Sequence, residues 1–391
     1  MLNKHLVLIS FYFEYISLIF LGAGFSKAAN LPLGSELFVE VRRLITAKHG
    51  RDNVLERDLE LFLEYLNKCE GRDETKDSID YEEFLGFLDV EHFLGLKGKD
   101  TLSSEGNESQ LLIRQAISEI LYDRTPKEPP TLYKRFVHQL NPDDWIYTFN
   151  YDTLLESSLE DEGIPFRLFP FRFKEIGSTS NEVDNSRSEV VLLKLHGSIN
   201  WFDRTAYDER VLLGKQAPIP YIPEHHIFGP NSIVEPIPLT DGPRSKDDPL
   251  ASIFQIKDIG PIIKPIFWEC TPLILSPSKT KILYFQPLRD LWWGLQRTGG
   301  LNLSVRVIGY SLPKYDFYAR QVIYSIYRNY IGYEPNIKNF SRNKTKFRIL
   351  DYRPNKDTVA ELLASYRFID PDRTEIRLDG LNEDSANWFL R

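Results

Sequence analysis

The sequence is poor in cysteine and has no excess of positive charge. Its 391 residues include two cysteines, Cys69 and Cys270, too few for a four-cysteine zinc site or a disulfide framework. With 48 Lys and Arg residues against 56 Asp and Glu residues, the formal net charge is −8, unlike the basic domains that bind nucleic acid. We therefore expect free thiols in a reducing cytoplasm, no metal, and no direct nucleic-acid binding as the main activity.

Long apolar runs are also scarce. Only the run from Leu6 to Leu21 approaches the length that a membrane span needs. It follows Lys4, as the apolar part of a signal peptide would, but Glu14 interrupts it and cleavage would destroy the glycine-rich segment that comes next. We favour a buried strand over a signal peptide and predict a cytoplasmic protein without a membrane anchor.

Apolar residues are nevertheless abundant enough for a large core, at 42% of the chain with 13% aromatic residues. Short apolar runs alternate with stretches of helical periodicity, which predicts an α/β fold with a doubly wound, mostly parallel, Rossmann-like sheet. The predicted strands are Tyr15–Leu21, Trp145–Phe149, Val190–Leu195, Leu273–Leu275, Leu303–Ile308 and Lys346–Leu350.

The chain length suits one elaborated domain or two closely joined ones. We predict one domain over residues 1–391, with a core made of 1–50 and 141–391 and a helical insertion over 51–140. Residues 177–188 are predicted to be a flexible loop, and the proline-rich residues 214–265 a long lid or binding loop. The tail from residue 369 is predicted to add one short helix.

The first predicted strand ends in a glycine-rich turn, Gly22, Ala23, Gly24, Phe25 and Ser26. A strand, a glycine turn and a helix start together present backbone N–H groups and a positive dipole end to a phosphate. The first glycine suits a tight turn and the second lets a pyrophosphate approach the backbone. The six-residue dinucleotide motif is incomplete, because its last glycine is a lysine here, so a glycine turn without a ligand remains the alternative.

Three later strands also end in polar or small residues. Asn150 and Asp152 follow one strand, His196 another, and Gly309 and Ser311 a third. Ligands of parallel sheets bind outside the carboxyl ends of the strands, so these groups are candidate site residues. Turn chemistry explains any one of these endings, but it explains four of them in one chain less well.

The residue types at these positions suit proton transfer and hydrogen bonding. His196 is a candidate general base, with a structural histidine as the alternative. Asn150 can orient a water or a carboxamide, or it can simply form a turn. Asp152 could orient a neighbour or cap a helix. Ser26 and Ser311 could bind ribose or phosphate, or cap helices.

These four segments, in this order, resemble the sirtuin fold, and more closely its bacterial sirtuin-like NADase branch in anti-phage defence. Gly22–Ser26 is similar to the sirtuin Gly-Ala-Gly-hydrophobic-Ser loop, and Thr148–Asp152 to its Thr-Gln-Asn-Ile-Asp segment. Lys194–Ser198 is similar to the segment that carries the catalytic histidine, and Gly309–Leu312 to the Gly-Thr-Ser-Leu turn that contacts ribose. The helical insertion and the last residues have no counterpart in this resemblance.

Two departures distinguish the chain from the protein deacylases of that family. Deacylases carry a four-cysteine zinc ribbon after the histidine, which two cysteines cannot form. They also follow the first loop with Gly-Ile-Pro-Asp-Phe-Arg, whereas Asn30–Ser35 lacks the Asp and the Arg. The resemblance therefore implies cleavage of NAD+ with water as the acceptor rather than deacylation of a peptide.

The resemblance implies an NAD+ hydrolase that releases nicotinamide and ADP-ribose as the effector of an anti-phage abortive-infection system. It implies His196 and Asn150 as catalytic residues, with NAD+ contacts from Gly22, Ala23, Gly24, Phe25, Ser26, Asp152, Gly309 and Ser311. It also implies a homo-oligomer controlled in trans, with a HerA-type ATPase as the expected partner. The alternatives are a non-catalytic subunit that binds NAD or ADP-ribose, a deacylase, and a nuclease role within an assembly, although no carboxylate metal cluster is visible.

Overall fold

A seven-stranded parallel sheet lies at the centre of the computed structural model, which describes residues 17–96, 106–264, 270–275, 286–295, 298–332 and 344–391. Within these ranges the strands are β1 (Ser17–Leu21), β2 (Trp145–Thr148), β3 (Phe166–Arg167), β4 (Phe173–Ile176), β5 (Asn181–Val183), β6 (Val190–Lys194), β7 (Trp201–Asp203), β8 (Pro236–Pro238), β9 (Ile253–Ile256), β10 (Ser304–Ile308), β11 (Phe347–Leu350) and β12 (Thr374–Arg377).

Helices lie between the strands. The described α-helices are α1 (Ala23–Ser26), α2 (Gly34–His49), α3 (Val54–Glu70), α4 (Tyr81–Phe93), α5 (Glu108–Arg124), α6 (Thr131–Val137), α7 (Leu154–Asp161), α8 (Thr205–Gln216), α9 (Gly260–Ile263), α10 (Gln286–Trp292), α11 (Phe317–Gly332), α12 (Lys356–Ser365) and α13 (Glu383–Leu390).

The strand order of the central sheet is β12-β11-β10-β1-β2-β6-β3, and every neighbouring pair is parallel. From β1 the chain adds β2 and β6 on one side, and later adds β10, β11 and β12 on the other. The order therefore reverses between β1 and β10, and such a reversal is where doubly wound sheets bind their ligands. The predicted α/β, Rossmann-like fold class is confirmed.

Buried apolar strands explain why this sheet forms at the centre. Every residue of β1, β2, β6 and β10 is buried, and the side chains of Leu18, Ile19 and Phe20 have no exposed surface. Strands buried on both faces are typical of parallel sheets, since helices cover each side. The strands predicted at these four places are therefore present, and the first two residues of the strand predicted over Tyr15–Leu21 lie outside the described residues.

Helices α3 to α6 occupy most of the region between β1 and β2 that was predicted to be a helical insertion. Local signals fix where three of them begin. The side chain of Asn53 caps α3, Asp80 caps α4, and Asn107 forms a capping box with Gln110 at the start of α5. The division of the chain into a core and an insertion at residues 51 and 140 stays a prediction.

Three segments differ from their predictions. Residues 177–188 were predicted to be a flexible loop, but they contain β5, which pairs with the preceding strand β4 in an antiparallel hairpin. Residues 214–265 contain β8 and β9, which join β7 in a three-stranded antiparallel sheet. The tail contains β12 as well as α13. These strands are short and partly exposed, so they lack the continuous apolar run that marks the central strands.

A further prediction was too long. Of the strand predicted over residues 273–275, only an isolated bridge between Ile274 and Gly197 is present. The residues from Leu288 to Gln296 have the apolar character of a helix, but the helix present there ends at Trp292, and residue 296 lies outside the described residues.

Candidate functional site

The glycine turn after β1 lies directly against the turn after β10. Gly22 donates its N–H to the carbonyl of Ile308 at 2.9 Å, and Gly24 donates to the carbonyl of Gly309 at 2.9 Å. A Cβ on Gly22 would lie 2.5 Å from the Gly309 oxygen, and one on Gly24 would lie 2.6 Å from the Gly309 Cα. Glycine is thus required because two backbones touch at the switch point. A pyrophosphate contact at this turn stays a prediction.

Ser26, Asp152 and Asn150 form a hydrogen-bonded chain at the adjacent strand ends. The hydroxyl of Ser26 donates to Oδ2 of Asp152 at 2.9 Å, and the Asn150 amide Nδ2 donates to the same hydroxyl at 3.1 Å. All three side chains are buried. Because the carboxylate fixes Ser26 as its donor, the serine oxygen must accept from Asn150, which leaves Oδ1 of Asn150 as the free end of the amide.

Hydrogen bonds bear on the structural alternatives for two of these residues, while their roles in ligand binding stay predictions. Ser26 does not cap a helix, since α1 and the 3₁₀ turn after it have no side-chain cap. Asp152 contacts a neighbouring side chain and also the backbone near α7, although the N-cap residue of that helix is Thr153. One oxygen holds Ser26, and the other accepts the N–H of Leu154 at 3.1 Å, near the start of α7.

Asn150 and His196 lie side by side at the ends of neighbouring strands. Thr148 of β2 pairs in register with Lys194 of β6, and each candidate lies two residues beyond that pair. The rings of Phe149 and Tyr151, which flank Asn150 in sequence, lie 5.1 Å and 6.3 Å from the His196 ring. The parallel register therefore brings the two predicted catalytic residues to the same edge of the sheet.

His196 is 4% exposed and packs among aromatic rings. Trp292 lies nearly parallel to the imidazole, with centroids 6.1 Å apart, and its indole N–H donates to the carbonyl of Leu195 at 2.7 Å. Tyr310 stacks on Phe149 at 3.9 Å, which links the turn after β10 to the end of β2. This packing gives the imidazole a single position.

One ring nitrogen of His196 faces polar groups. Its Nε2 lies 3.3 Å from the Tyr318 hydroxyl and 3.5 Å from Oδ2 of Asp316. The same carboxylate oxygen accepts a hydrogen bond from the Tyr310 hydroxyl. Burial, followed by the charge of Asp316, raises the pKa of both tyrosines well above the ordinary value, so both hydroxyls keep their protons.

A buried ion pair connects the carboxyl end of β6 to the chain that follows β2. Lys194, which has no exposed surface, lies 2.6 Å from Oε1 of Glu156 and also donates to the backbone carbonyl of Asp152. Burial raises the pKa of Glu156, and the ammonium of Lys194 opposes that shift. The lysine thereby ties the segment that carries Asn150 and Asp152 to β6.

The helical region between β1 and β2 also contributes to this site. A partly open pocket lies between these helices and the loop after β2, and Tyr151 and Ile274 form part of its wall. Glu82 of α4 is buried, and its carboxylate accepts from the Tyr81 hydroxyl at 3.2 Å. Burial, followed by the charge of Asp316, raises the Glu82 pKa to about 8.

The predicted site residues divide into those that the structure connects and those that it leaves apart. Hydrogen bonds join Ser26, Asn150 and Asp152, backbone contacts join the glycines, and ring contacts join His196 to the residues beside Asn150. Ser311 is exposed, and no side-chain contact links it to the others among the described residues. Ala23 and Phe25 belong to the glycine turn, with Phe25 packed beneath it against Tyr133.

Sequence reasoning missed Asp316, Tyr318 and Glu82. The first two lie at the start of α11, beyond the Gly-Tyr-Ser turn, and an acidic residue so soon after a strand end was an available signal for Asp316. Glu82 follows the cap of α4 and resembles any first-turn acidic residue, so no local signal distinguishes it. Trp292 is a core residue that contacts His196.

Within the described residues, no group of three or more His, Cys, Asp or Glu side chains is arranged to hold a metal ion. Cys69 is exposed, Cys270 is buried, and neither is in a disulfide. Among the helices described, none is both long enough and apolar enough to cross a bilayer.

Comparisons with known proteins point to one family over part of the chain. The family model of the SIR2-like domain matches residues 144–217, less than half of the chain. A search of curated proteins finds no match. The matched part runs from β2 to α8 and contains Asn150, Asp152 and His196.

Solved sirtuin structures align along most of the chain at low similarity. One, described as the structural basis for sirtuin substrate affinity, has a TM-score of 0.31 and 12% identity, covering 95% of this chain and 91% of that chain. Sir2 in complex with the inhibitor EX-527, 2'-O-acetyl-ADP-ribose and deacetylated p53 peptide has a TM-score of 0.34 and 11% identity, with the same coverage. The chain is thus an α/β protein with a segment similar to SIR2-like domains.

Proposed function

We propose that this chain hydrolyses NAD+ at the bond between nicotinamide and ribose, releasing nicotinamide and ADP-ribose. The observation that carries the proposal is that Asn150 and His196 each lie two residues beyond the register pair Thr148–Lys194 that ends β2 and β6, beside the switch point of the sheet. The match of residues 144–217 to the SIR2-like domain supports it, because that segment contains both residues.

The polar atoms of the site fit the donors that NAD+ offers. Within the described residues, Oδ1 of Asn150 makes no hydrogen bond and is therefore available to accept one from a ligand. Ribose hydroxyls and the nicotinamide carboxamide are donors that can satisfy such acceptors. The turn Gly22–Ser26 would contact the pyrophosphate and Ser311 the adenosine ribose, with Asp152 acting through Ser26.

The reaction needs a leaving group, a water and a base. As the glycosidic bond breaks, its electron pair leaves with nicotinamide and the ribose C1′ gains oxocarbenium character. A water oxygen bonds to C1′, and His196 accepts a proton from that water or from a ribose hydroxyl, while Asn150 orients the water or the carboxamide. General base assistance of this kind contributes about 10²–10⁴-fold in rate.

An unregulated enzyme of this kind would deplete the NAD+ of its own cell. We therefore propose a cytoplasmic effector of anti-phage defence that is a homo-oligomer and is switched on in trans, with a HerA-type ATPase as the expected partner. Static light scattering on the purified chain tests the oligomer, and a mass of 45.6 kDa, that of a single chain, would contradict it.

The function is tested by incubating purified protein with NAD+, with and without lysate from phage-infected cells, and measuring free nicotinamide. We expect release by the wild type and at least 100-fold less by His196→Ala and by Asn150→Ala. His138→Ala is the matched control, since that histidine is exposed and bonded to Glu162. Undiminished release by both site variants would refute the assignment. Calorimetric binding of NAD+ without any release would instead favour a non-catalytic binding subunit.

A further inference from the structure

Asp316 is a buried carboxylate with few partners. It is 1% exposed, and one of its oxygens, Oδ2, accepts from Tyr310 and lies 3.5 Å from Nε2 of His196. The other oxygen, Oδ1, is buried and makes no hydrogen bond to the part of the chain that the structure describes. Among the described residues no Lys or Arg pairs with it, so the imidazole is the nearest group that can become a cation.

The two ring nitrogens of His196 have different surroundings. Nε2 faces Asp316 and the Tyr318 hydroxyl, whereas Nδ1 makes no hydrogen bond among the described residues. A neutral imidazole has one N–H donor and one acceptor nitrogen, and an ionised carboxylate can only accept. The nitrogen that faces the carboxylate therefore carries the hydrogen.

We propose that Asp316 is a positioning residue whose carboxylate, 3.5 Å from Nε2 of His196, holds the ring hydrogen on Nε2 and thereby keeps Nδ1 as the nitrogen that takes the proton. This inference rests on the proposed function for its catalytic consequence. In the reaction the O–H bond of water breaks, its proton passes to Nδ1, and the resulting imidazolium lies beside a negative carboxylate. The positive charge that forms on the imidazole lies next to a carboxylate that is already in place, so the surrounding groups need to rearrange little during the step.

The surrounding groups leave Asp316 as the negative partner of the imidazole. Tyr310, Tyr318 and Tyr151 all have pKa values raised by burial and by Asp316, so they are neutral. Glu82, with a pKa of about 8, is mostly protonated at neutral pH. Among these groups, Asp316 is the carboxyl that lies against the imidazole, with Oδ2 3.5 Å from Nε2.

The Tyr318 hydroxyl determines which tautomer His196 adopts when Asp316 is replaced. With Nε2 protonated, the tyrosine hydroxyl cannot donate to that nitrogen and can only accept there. Without the carboxylate, the hydroxyl becomes free to donate to Nε2, which moves the ring hydrogen to Nδ1 and blocks it as a base. Asp316→Ala should therefore reverse the tautomer, and the additional change Tyr318→Phe should relieve that reversal.

The wild-type tautomer is the first test, because it needs no enzymatic activity. Long-range ¹H–¹⁵N spectra of protein with ¹⁵N-labelled histidine, recorded at pH 8, distinguish protonated from unprotonated ring nitrogens for each of the seven histidines. The His196 signals are those absent from His196→Gln. We expect a protonated Nε2 and an unprotonated Nδ1. The opposite tautomer in the wild type would overturn the proposal, whether or not the protein cleaves NAD+.

Kinetics provide the second test. Asp316→Asn should lower kcat at least 10-fold and leave KM within about threefold, since the residue acts on the base rather than on substrate binding. Asp144→Asn is the matched control. Asp144 is a buried carboxyl at the amino ends of the strands, where it accepts a hydrogen bond from the Ser17 N–H, so this variant should keep the wild-type kcat. A wild-type kcat in Asp316→Asn would reject the positioning role. If the wild type releases no nicotinamide, the proposed function fails, and the spectra still decide the tautomer.

Discussion

At the scale of single residues, the contact between the turns after β1 and β10 restricts most strongly which residue types the site can contain. Gly309 has φ of +59°, a left-handed conformation that favours glycine, and a Cβ there would overlap the backbone of Gly24 and Phe25. The position thus combines a conformational requirement with a steric one, and each can be measured separately.

We predict that Gly309→Ala lowers the free energy of unfolding by about 2–5 kcal/mol, as a left-handed alanine costs about 1–2 kcal/mol and forced backbone movement about 1–3 kcal/mol. Gly71→Ala is the control, because Gly71 has a similar φ of +67° but nothing within 4 Å of its Cβ position. Urea unfolding measures both. Equal losses in the two variants would show that the contact with Gly24 is not tight.

Glu82 gives the stability of the protein a dependence on pH. Burial raises its pKa from 4.5 to about 8, so between these values the folded state holds a proton that the unfolded state has released. Stability therefore falls as pH rises from 4.5 to 8, by at most about 1.4 kcal/mol per pH unit from this group.

Because glutamine resembles the protonated acid, we expect Glu82→Gln to gain stability relative to the wild type as pH rises from 5 to 8. Urea midpoints at four pH values measure the difference. Glu64→Gln is the control, as Lys68 holds the pKa of that exposed carboxyl below its ordinary value and keeps it ionised throughout. An offset for Glu82→Gln that does not change with pH would contradict the assigned pKa.

The residues that sequence reasoning could find are those at strand ends. Ser26, Asn150, Asp152 and His196 each follow a buried apolar run, and a parallel sheet brings such ends together whatever the loops do. Asp316, Tyr318 and Glu82 reach the site from helix starts instead. Their positions depend on how helices pack onto the sheet, which periodicity alone does not specify.

At the scale of elements, burial decided which strands could be predicted. The five-residue strands β1, β6 and β10 are buried throughout and are evident in the sequence. β3 has two residues, β8 contains two prolines, and the residues of β12 are mostly half-exposed. These edge and hairpin strands form because an adjacent strand pairs with them through hydrogen bonds. The sequence of the segment alone does not reveal that pairing.

The tie between β6 and α7 also belongs to this scale. Replacing Lys194 with methionine keeps much of the side-chain volume but leaves the Glu156 carboxylate buried without its cation. We expect a loss of about 3–5 kcal/mol in the free energy of unfolding, and recovery of most of it in the double variant Lys194→Met with Glu156→Leu.

Urea unfolding of the two variants and the wild type measures this coupling. Lys68→Met serves as the surface control, since it removes an exposed ion pair with Glu64 and should change the midpoint little. A double variant no more stable than Lys194→Met would mean that the uncompensated charge is not the source of the loss.

At the scale of the whole molecule, the two halves of the sheet meet between β1 and β10, and a ligand bound there contacts both. Such a ligand stabilises the folded chain by mass action. For His196→Ala, which should bind NAD+ without consuming it, we expect about 2.7 kcal/mol of added stability at 100 times the dissociation constant. Thermal unfolding of this variant with NAD+ and with equimolar pyrophosphate measures the effect. Equal increases in the unfolding temperature would mean that the site recognises only the anionic part of the ligand.

The contact between the turns after β1 and β10 also bears on when the candidate site forms during synthesis. Gly309, whose carbonyl accepts the N–H of Gly24, is synthesised long after Gly24. Domains begin to fold during translation, but a contact so distant in sequence must wait for its second partner. A ribosome-bound chain that stops before β10 therefore has no assembled site, and translation itself delays the onset of any activity there.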